Sequence, residues 1–282
     1  MIPDLIYDVG MNNGDDTAYY LHKGYRVVAV EVDPALIEQA RERFADPIRQ
    51  GRLELVQAAI GARRETAQFW ICEGKSVWNS FDQRIASREG HTCHAIEVEC
   101  RQFRDLLEQY GVPSYLKIDI EGHDTYCVAD LHRQDLPKYV SLEMDRQLDP
   151  LFMLRDLGYS RFKLITQNDH SQLTVDPFSV SELIKYRLRP YPTLYRLGQR
   201  AAGLGRRFSS SAAQRPRQGV NGNHWRFALG SSGPFGEETA GSWQTFDEVA
   251  FTWLTYQQGR SRYGPPSLWV WHDLHAVRAE SS

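Results

Sequence analysis

The chain has 282 residues, 41% of them apolar, and a formal net charge of -3 from 33 basic and 36 acidic side chains. A length of this order buries one large core, and so even a charge balance argues against general nucleic-acid binding. No apolar run approaches the length of a membrane-spanning helix and the first predicted strand leaves no room for a signal peptide, while four scattered cysteines (Cys72, Cys93, Cys100 and Cys127) without Cys-x-x-Cys spacing point to reduced thiols in a cytoplasmic protein rather than to a zinc site or a disulfide framework.

The first element is an apolar run over 5–9 that breaks at Gly10, where an amphipathic segment over 17–23 takes over. This is the pattern of a parallel strand handing the chain to a crossover helix. A second strand over 26–31 ends in Glu31. Its distance from the first glycine, about 20 residues, is the spacing at which an acid at a strand tip accepts hydrogen bonds from ribose hydroxyls. The turn therefore reads as a nucleoside-cofactor site, with Gly10 and Gly14 letting the backbone approach a ligand. The Gly-x-Gly-x-x-Gly fingerprint of dinucleotide sites is broken, because Asn12 and Asp15 stand at its second and third glycine positions. Asp15 and Asp16 repel phosphate; they suit S-adenosylmethionine (SAM), which carries a sulfonium and an ammonium and no phosphate, and Asp8 adds a third negative group on the same rim. Acids at a helix start also cap it and complement its dipole.

Further along, a helix is predicted over 35–44 behind Asp33-Pro34, a strand over 53–57, and short strands over 66–72 and 94–100 with a loop between them. A helix over 103–110 stops at Gly111 and Pro113, and strands follow over 115–120, 139–144 and 162–166, so that strands and helices alternate as in a doubly wound sheet. Residues 168–223 form an insertion. It begins with Asp176-Pro177-Phe178, carries a predicted helix over 180–189, and becomes basic and low in complexity over 196–217, where Arg206, Arg207, Arg215 and Arg217 surround a serine and alanine run. A solvated flap and a lid whose arginines meet an anionic substrate group both fit this composition. A last strand is expected over 224–229, followed by a helical and aromatic element to 282, the whole chain being one domain with its cofactor-binding core over 1–167.

The chemistry is expected at the carboxyl ends of the strands, where ligands of open parallel sheets lie. Asp119 and Glu121 follow an apolar strand and, two residues apart in extended chain, point to the same side; Glu143 ends the neighbouring strand. These carboxylates can act as base and hydrogen-bond acceptors, or bind a divalent cation, the less favoured reading. Glu121 can instead bind backbone amides in the turn at Gly122. Among the histidines His123 is the best placed base, with His170, His272 and His275 in segments that a lid could deliver. For the cofactor, Gly10, Asn12 and Gly14 would line the methionine portion, Glu31 the ribose, Val32 the adenine edge, and Ala58 with Ala59 the adenine face, although plain packing also accounts for the two alanines.

Four ordered motifs carry a family resemblance: Asp8-Val9-Gly10-Met11-Asn12-Asn13-Gly14, Val28-Ala29-Val30-Glu31-Val32-Asp33-Pro34, Ala58-Ala59-Ile60-Gly61 and Tyr115-Leu116-Lys117-Ile118-Asp119-Ile120-Glu121-Gly122. Together they resemble the FkbM family of SAM-dependent methyltransferases over roughly the first 165 residues, and Gly230-Ser231-Ser232-Gly233-Pro234-Phe235-Gly236-Glu237-Glu238 resembles a segment of one branch of it. The resemblance implies a Rossmann-like, seven-stranded class I methyltransferase sheet with helices on both faces. It also implies SAM as donor, S-adenosylhomocysteine (SAH) as product, an Asn79-Ser80 segment that closes over the cofactor or meets the substrate, and O-methylation of a hydroxyl on a sugar or a glycosylated or polyketide metabolite. The expected partner is a small-molecule or glycan acceptor, with a homo-oligomer left open. The alternatives are a SAM-binding sensor or assembly protein that does not methylate, and a NAD-dependent oxidoreductase, which the acids in the turn disfavour.

Overall fold

The computed structural model describes residues 1–120, 122–144, 147–174, 225–228, 230–263 and 271–279. In chain order these form β1 (Ile2–Val9), α1 (Asp15–His22), β2 (Arg26–Glu31), α2 (Pro34–Arg43), α3 (Ala45–Arg49), β3 (Leu53–Gln57), β4 (Ala59–Ile60), β5 (Glu65–Cys72), α4 (Gln83–Ala86) and β6 (Cys93–Arg101). They continue with α5 (Phe103–Tyr110), β7 (Pro113–Ile118), α6 (Asp124–Ala129), β8 (Tyr139–Glu143), α7 (Asp149–Leu157), β9 (Tyr159–Thr166), α8 (Phe246–Tyr263) and β10 (His272–Arg278).

Seven strands make the main sheet in the order β3-β2-β1-β7-β8-β10-β9. β1, β2, β3, β7 and β8 are parallel, and β10 runs antiparallel between β8 and β9. This is the Rossmann-like class I methyltransferase arrangement, with the chain crossing outward in opposite directions from β1 and from β7. The switch point between those two strands opens a crevice at their carboxyl ends. The predicted strands over 66–72 and 94–100 join β4 in a separate sheet of order β4-β6-β5.

The last strand is a correction. It lies at His272–Arg278 rather than over 224–229, and the described part of the latter, 225–228, is not a strand. Trp225 and Phe227 pack instead on Tyr19 of α1, with ring centroids 5.7 and 4.7 Å away. The predicted helix over 180–189 and the basic tract over 196–217 lie outside the described residues.

Period-two alternation assigns the two faces of the sheet. Leu5, Tyr7 and Val9 point to the face covered by Phe103, Leu106, Val128, Leu151 and Trp253. Ile6, Val27, Ala29 and Tyr115 point to the face covered by Tyr19, Tyr20 and Phe235. The valine, leucine, isoleucine and phenylalanine side chains among them each contribute about 1.5–3 kcal/mol on burial. Phe235, in the Gly230–Glu238 segment, stacks on Tyr115 at 4.3 Å and 3° and so straps that segment across the α1 face. The Asp33-Pro34 start of α2 is as the sequence indicates: the Asp33 carboxylate accepts from the Ala35 N–H at 2.8 Å.

Candidate active site

The turn after β1 is shaped by positive φ at Gly10 (82°), Asn12 (50°) and Gly14 (80°). A Cβ on Gly10 would stand 1.8 Å from the Asp119 carbonyl oxygen, and one on Gly14 would stand 2.7 Å from the Phe44 ring. The close approach that these glycines permit is thus to the chain's own β7 end and α2, which fixes the turn before any ligand arrives. Glu31 braces it from the neighbouring strand. Its Oε2 accepts from the Asn12 N–H at 2.8 Å, and its Oε1 accepts from the Val32 and Asp33 N–H groups at 2.8 and 2.9 Å. Burial pushes this carboxyl up and the three amides pull it back, leaving it raised. A carboxylate offers about four acceptor positions, so one on Oε2 remains for a ligand hydroxyl. The loop after β5 closes onto the same turn, where Ser76 Oγ donates to Asn12 Oδ1 at 2.9 Å. Asn79 is a strut within that loop: its Oδ1 accepts from the Cys72 N–H at 2.8 Å and its Nδ2 donates to Asp33 Oδ2 at 3.0 Å.

One layer below lies a buried polar row that sequence reasoning missed. Read across β1, β7, β8, β10 and β9, the register places Asp8, Lys117, Ser141, His275 and Lys163 side by side. None is more than 2% exposed. Lys117 Nζ pairs with Asp8 at 3.0 Å, donates to the Gly10 carbonyl at 2.8 Å and stands 3.9 Å from Asp119. Burial works against its charge, yet Asp8, Asp119 and Asp16 outweigh burial and raise it. Asp8 also accepts from the Thr17 hydroxyl at 2.6 Å. It is therefore a foundation of the turn rather than the rim group that the sequence suggests. The available signal was a lone lysine inside the apolar run of β7.

Residues two further along these strands share the face and stand at the carboxyl edge. Asp119 follows β7, Glu143 ends β8, and Asp273 is paired with Glu143 in the β8–β10 ladder. The Asp119 side chain is 30% exposed and its carboxyl is raised by burial, against the pull of Lys117. Glu121 lies outside the described residues. Among the described residues the turn after β7 is held by Asp124, whose Oδ1 accepts from the Ile120 N–H at 3.1 Å. Asp16, on the first turn of α1, is buried and accepts from the Ser231 hydroxyl and, at 3.1 Å, from the Ser232 N–H. Asp15 pairs with Arg43 at 2.9 Å. The Gly230–Glu238 strap thereby roofs the acidic edge.

The histidines divide. His123 is stacked on Phe81 at 4.4 Å, and its Nδ1 is 3.3 Å from the Ile60 carbonyl oxygen, on the β4 side of the crevice; burial lowers its pKa. His275 is buried within the sheet, where burial, Lys163 and His170 push it down to about 3. His272 packs against Trp253 and Tyr256, and His170 Nε2 contacts the Ser231 carbonyl at 3.0 Å. Neither His272 nor His275 is delivered by a lid, because both are β10 residues. Val32, Ala58 and Ala59 line the ends of β2 and β3, with both alanines 4% exposed and Ala59 in the core of the small sheet. Among the described residues no group of three or more His, Cys, Asp or Glu is arranged to hold a metal ion, and no helix is long and apolar enough to cross a membrane.

The family described as Methyltransferase FkbM domain matches residues 8–160, from Asp8 in β1 to the start of β9. The chain belongs to the FkbM methyltransferase family. It is accordingly a SAM-dependent methyltransferase, and its donor is SAM. No curated protein matches the sequence. Solved structures similar to this FkbM methyltransferase include a precorrin-6y C5,15-methyltransferase from Geobacter metallireducens, with 15% identity, 60% of this chain and 71% of that one covered, and a TM-score of 0.32. A SAM-dependent methyltransferase from Thiobacillus denitrificans in complex with S-adenosyl-L-homocysteine shows 9% identity over 98% of this chain and 86% of that one, with a TM-score of 0.33.

Proposed function

We propose that this FkbM methyltransferase acts in the cytoplasm and methylates a hydroxyl oxygen of a small acceptor, a sugar or a glycosylated or polyketide metabolite. The observation that carries this reading is one juxtaposition. A glycine turn braced by Glu31, with an acceptor position to spare, lies beside the carboxylates of Asp119 and Glu143 on the next two strands. The first half fits a nucleoside; the second fits a polyhydroxylated acceptor, whose O–H groups donate to carboxylates. SAM, when bound, supplies an electrophilic methyl group on a sulfonium and departs as SAH.

The chain's own residues then have distinct tasks. Glu31 Oε2 accepts from a ribose hydroxyl, the backbone of Gly10, Asn12 and Gly14 borders the methionine portion, and Val32, Ala58 and Ala59 border adenine. Asp119 faces the ammonium and the reacting end, and Glu143 binds the acceptor. Asp8 and Asp16 act through others, Asp8 by holding Lys117 under the turn and Asp16 by holding the Ser231-Ser232 strap over it. His123 forms the wall beside Phe81, since its ring contacts run toward Ile60, Phe81 and Tyr126.

Calorimetric titration of the cofactor-stripped protein with SAM and SAH, repeated with EDTA and with Mg²⁺, tests the first half. A screen of hydroxylated sugars and of amines for SAH release tests the second. Micromolar binding with release on hydroxyl acceptors is expected. Absence of binding overturns the cofactor assignment, release on amines alone overturns the choice of oxygen, and binding without turnover makes the protein a SAM sensor.

A further inference from the structure

The carboxyl edge holds an acid that the reading above leaves without a task. Asp273, the second residue of β10, is 3% exposed and sits between Glu143 of β8 and Ile165 of β9 in the ladder. Gln167 Nε2 donates to its Oδ1 at 2.8 Å. Its Oδ2 is buried and no group among the described residues meets it in good hydrogen-bond geometry, although the Ser232 side chain is near enough to lower the carboxyl. A buried carboxylate oxygen left unsatisfied is costly, and it calls for a water, a ligand or a catalytic role to account for it.

We propose, resting on the methyltransferase reading above, that Asp273 is a catalytic residue whose Oδ2 binds the acceptor hydroxyl and receives its proton. The strand order gives the spacing. Asp119 is fastened to the cofactor turn, where its N–H donates to the Val9 carbonyl and its own carbonyl abuts Gly10. Asp273 stands two strands further along the edge, roughly 10 Å away at the usual spacing between strands. That gap accommodates a methyl group and an acceptor oxygen in line, each about 3 Å from the next group. As the O–CH₃ bond forms, the S–CH₃ bond breaks with its electron pair left on sulfur, and the hydroxyl proton passes to Oδ2.

The surroundings suit a base rather than a permanent charge. Asp119 from β7 and Asp16 from α1 face Asp273 with like charge, Glu143 is its partner on β8, and Tyr115 lies near it on the α1 face. Lys117, His275 and Lys163 occupy the row beneath, and Gln167 and Ser232 are its polar neighbours. Burial, then Asp119 and Asp16, push its carboxyl up to about 7, with Gln167 and Ser232 pulling the other way. A base poised near the working pH takes a proton from an incoming hydroxyl and returns it to solvent afterwards.

The test uses the full-length protein, wild type and Asp273→Asn, in complex with SAH. In a ¹³C-aspartate NMR titration, a carboxyl resonance titrating near neutral pH is expected in the wild type and is expected to be missing from the variant, while SAH affinity by calorimetry stays within about twofold. Release of SAH from SAM with methyl α-D-glucopyranoside as probe hydroxyl is expected to rise with pH through the same titration. The variant is expected to lose that limb and about 100-fold or more in rate. A wild type with no aspartate titrating near neutrality, or a variant that keeps the rate and its pH profile, overturns the assignment; where the glucoside is inert, the titration decides alone. Failure of the underlying cofactor site would show separately, as absent SAH binding to the wild type.

Discussion

Replacing Lys117 by Met is the sharpest probe of what holds the cofactor turn. The Lys117 side chain is 3% exposed and its partner Asp8 is wholly buried, so the substitution strands a carboxylate that keeps only the Thr17 hydroxyl, and it removes the donor to the Gly10 carbonyl. Breaking one side of a buried pair costs about 3–5 kcal/mol, because the remaining charge stays in a poor dielectric. For a protein of this size that corresponds to a fall in Tm of roughly 6–20 °C. Urea denaturation read by tryptophan fluorescence gives the free energy, and SAH calorimetry on the still-folded variant should show weakened binding as the turn loosens. The variant Asp8→Asn/Lys117→Met restores an uncharged partner for Thr17 and should recover part of the loss, with a coupling of at least about 1 kcal/mol in the double-mutant cycle. A Lys117→Met protein within about 1 kcal/mol of wild type, or a cycle with no coupling, would refute the argument that this pair supports the turn.

Three further outcomes follow from the same geometry. Gly10→Ala places a methyl group 1.8 Å from the Asp119 carbonyl at a φ of 82°, so SAH binding measured by calorimetry should fall at least about tenfold, equivalent to 1.4 kcal/mol, with a lower Tm. Glu31→Gln turns one acceptor into a donor facing backbone N–H groups and should weaken SAM binding by about 10- to 100-fold, while Glu31→Asp, too short to span both Asn12 and Asp33, should not rescue it. Asp273 gives a pH dependence of known sign. Its carboxyl is raised from 3.8 to about 7 in the fold, so the native state holds this proton more tightly than the unfolded chain, and the stability it contributes is full below about pH 4 and lost as pH rises to about 7. Asp273→Asn, which cannot ionise, should match wild type in urea melts at pH 4 and exceed it at pH 8 by up to about 4 kcal/mol; equal stabilities at both pH values would remove the basis for the raised carboxyl.

Much of this was legible in the sequence because it depends on local pattern. Short apolar runs gave β1, β2, β3, β7, β8 and β9, and the distance from Gly10 marked Glu31 at the tip of β2; that its carboxylate braces the turn through three backbone amides was not legible. β10 was hidden for a physical reason. Its α1-facing side carries Asp273 and His275 into a polar layer, so its alternation reads as surface, whereas Trp225 and Phe227 alternate as a strand should and are spent on covering Tyr19. Lys117 was visible but uninterpretable, since its three partners come from β1, from the turn after it and from the end of β7. The same holds for Asp16, whose meaning depends on serines 215 residues away in sequence.

The position of β10 bears on how the protein is made. β8 and β9 leave a gap one strand wide that residues 272–278 fill, and both of those strands are complete by Thr166. At ribosomal rates of about 5–20 residues per second, the roughly 100 residues between are synthesised over something like 5 to 20 seconds. During that time two strand edges, with Val140, Leu142, Phe162 and Leu164 beside them, have no partner. Unpaired edges of that kind invite pairing with other chains. Soluble yield of this enzyme should therefore depend on elongation speed and on holdase chaperones more than its native stability would indicate, and a nascent chain arrested near residue 250 should be the species those chaperones retain.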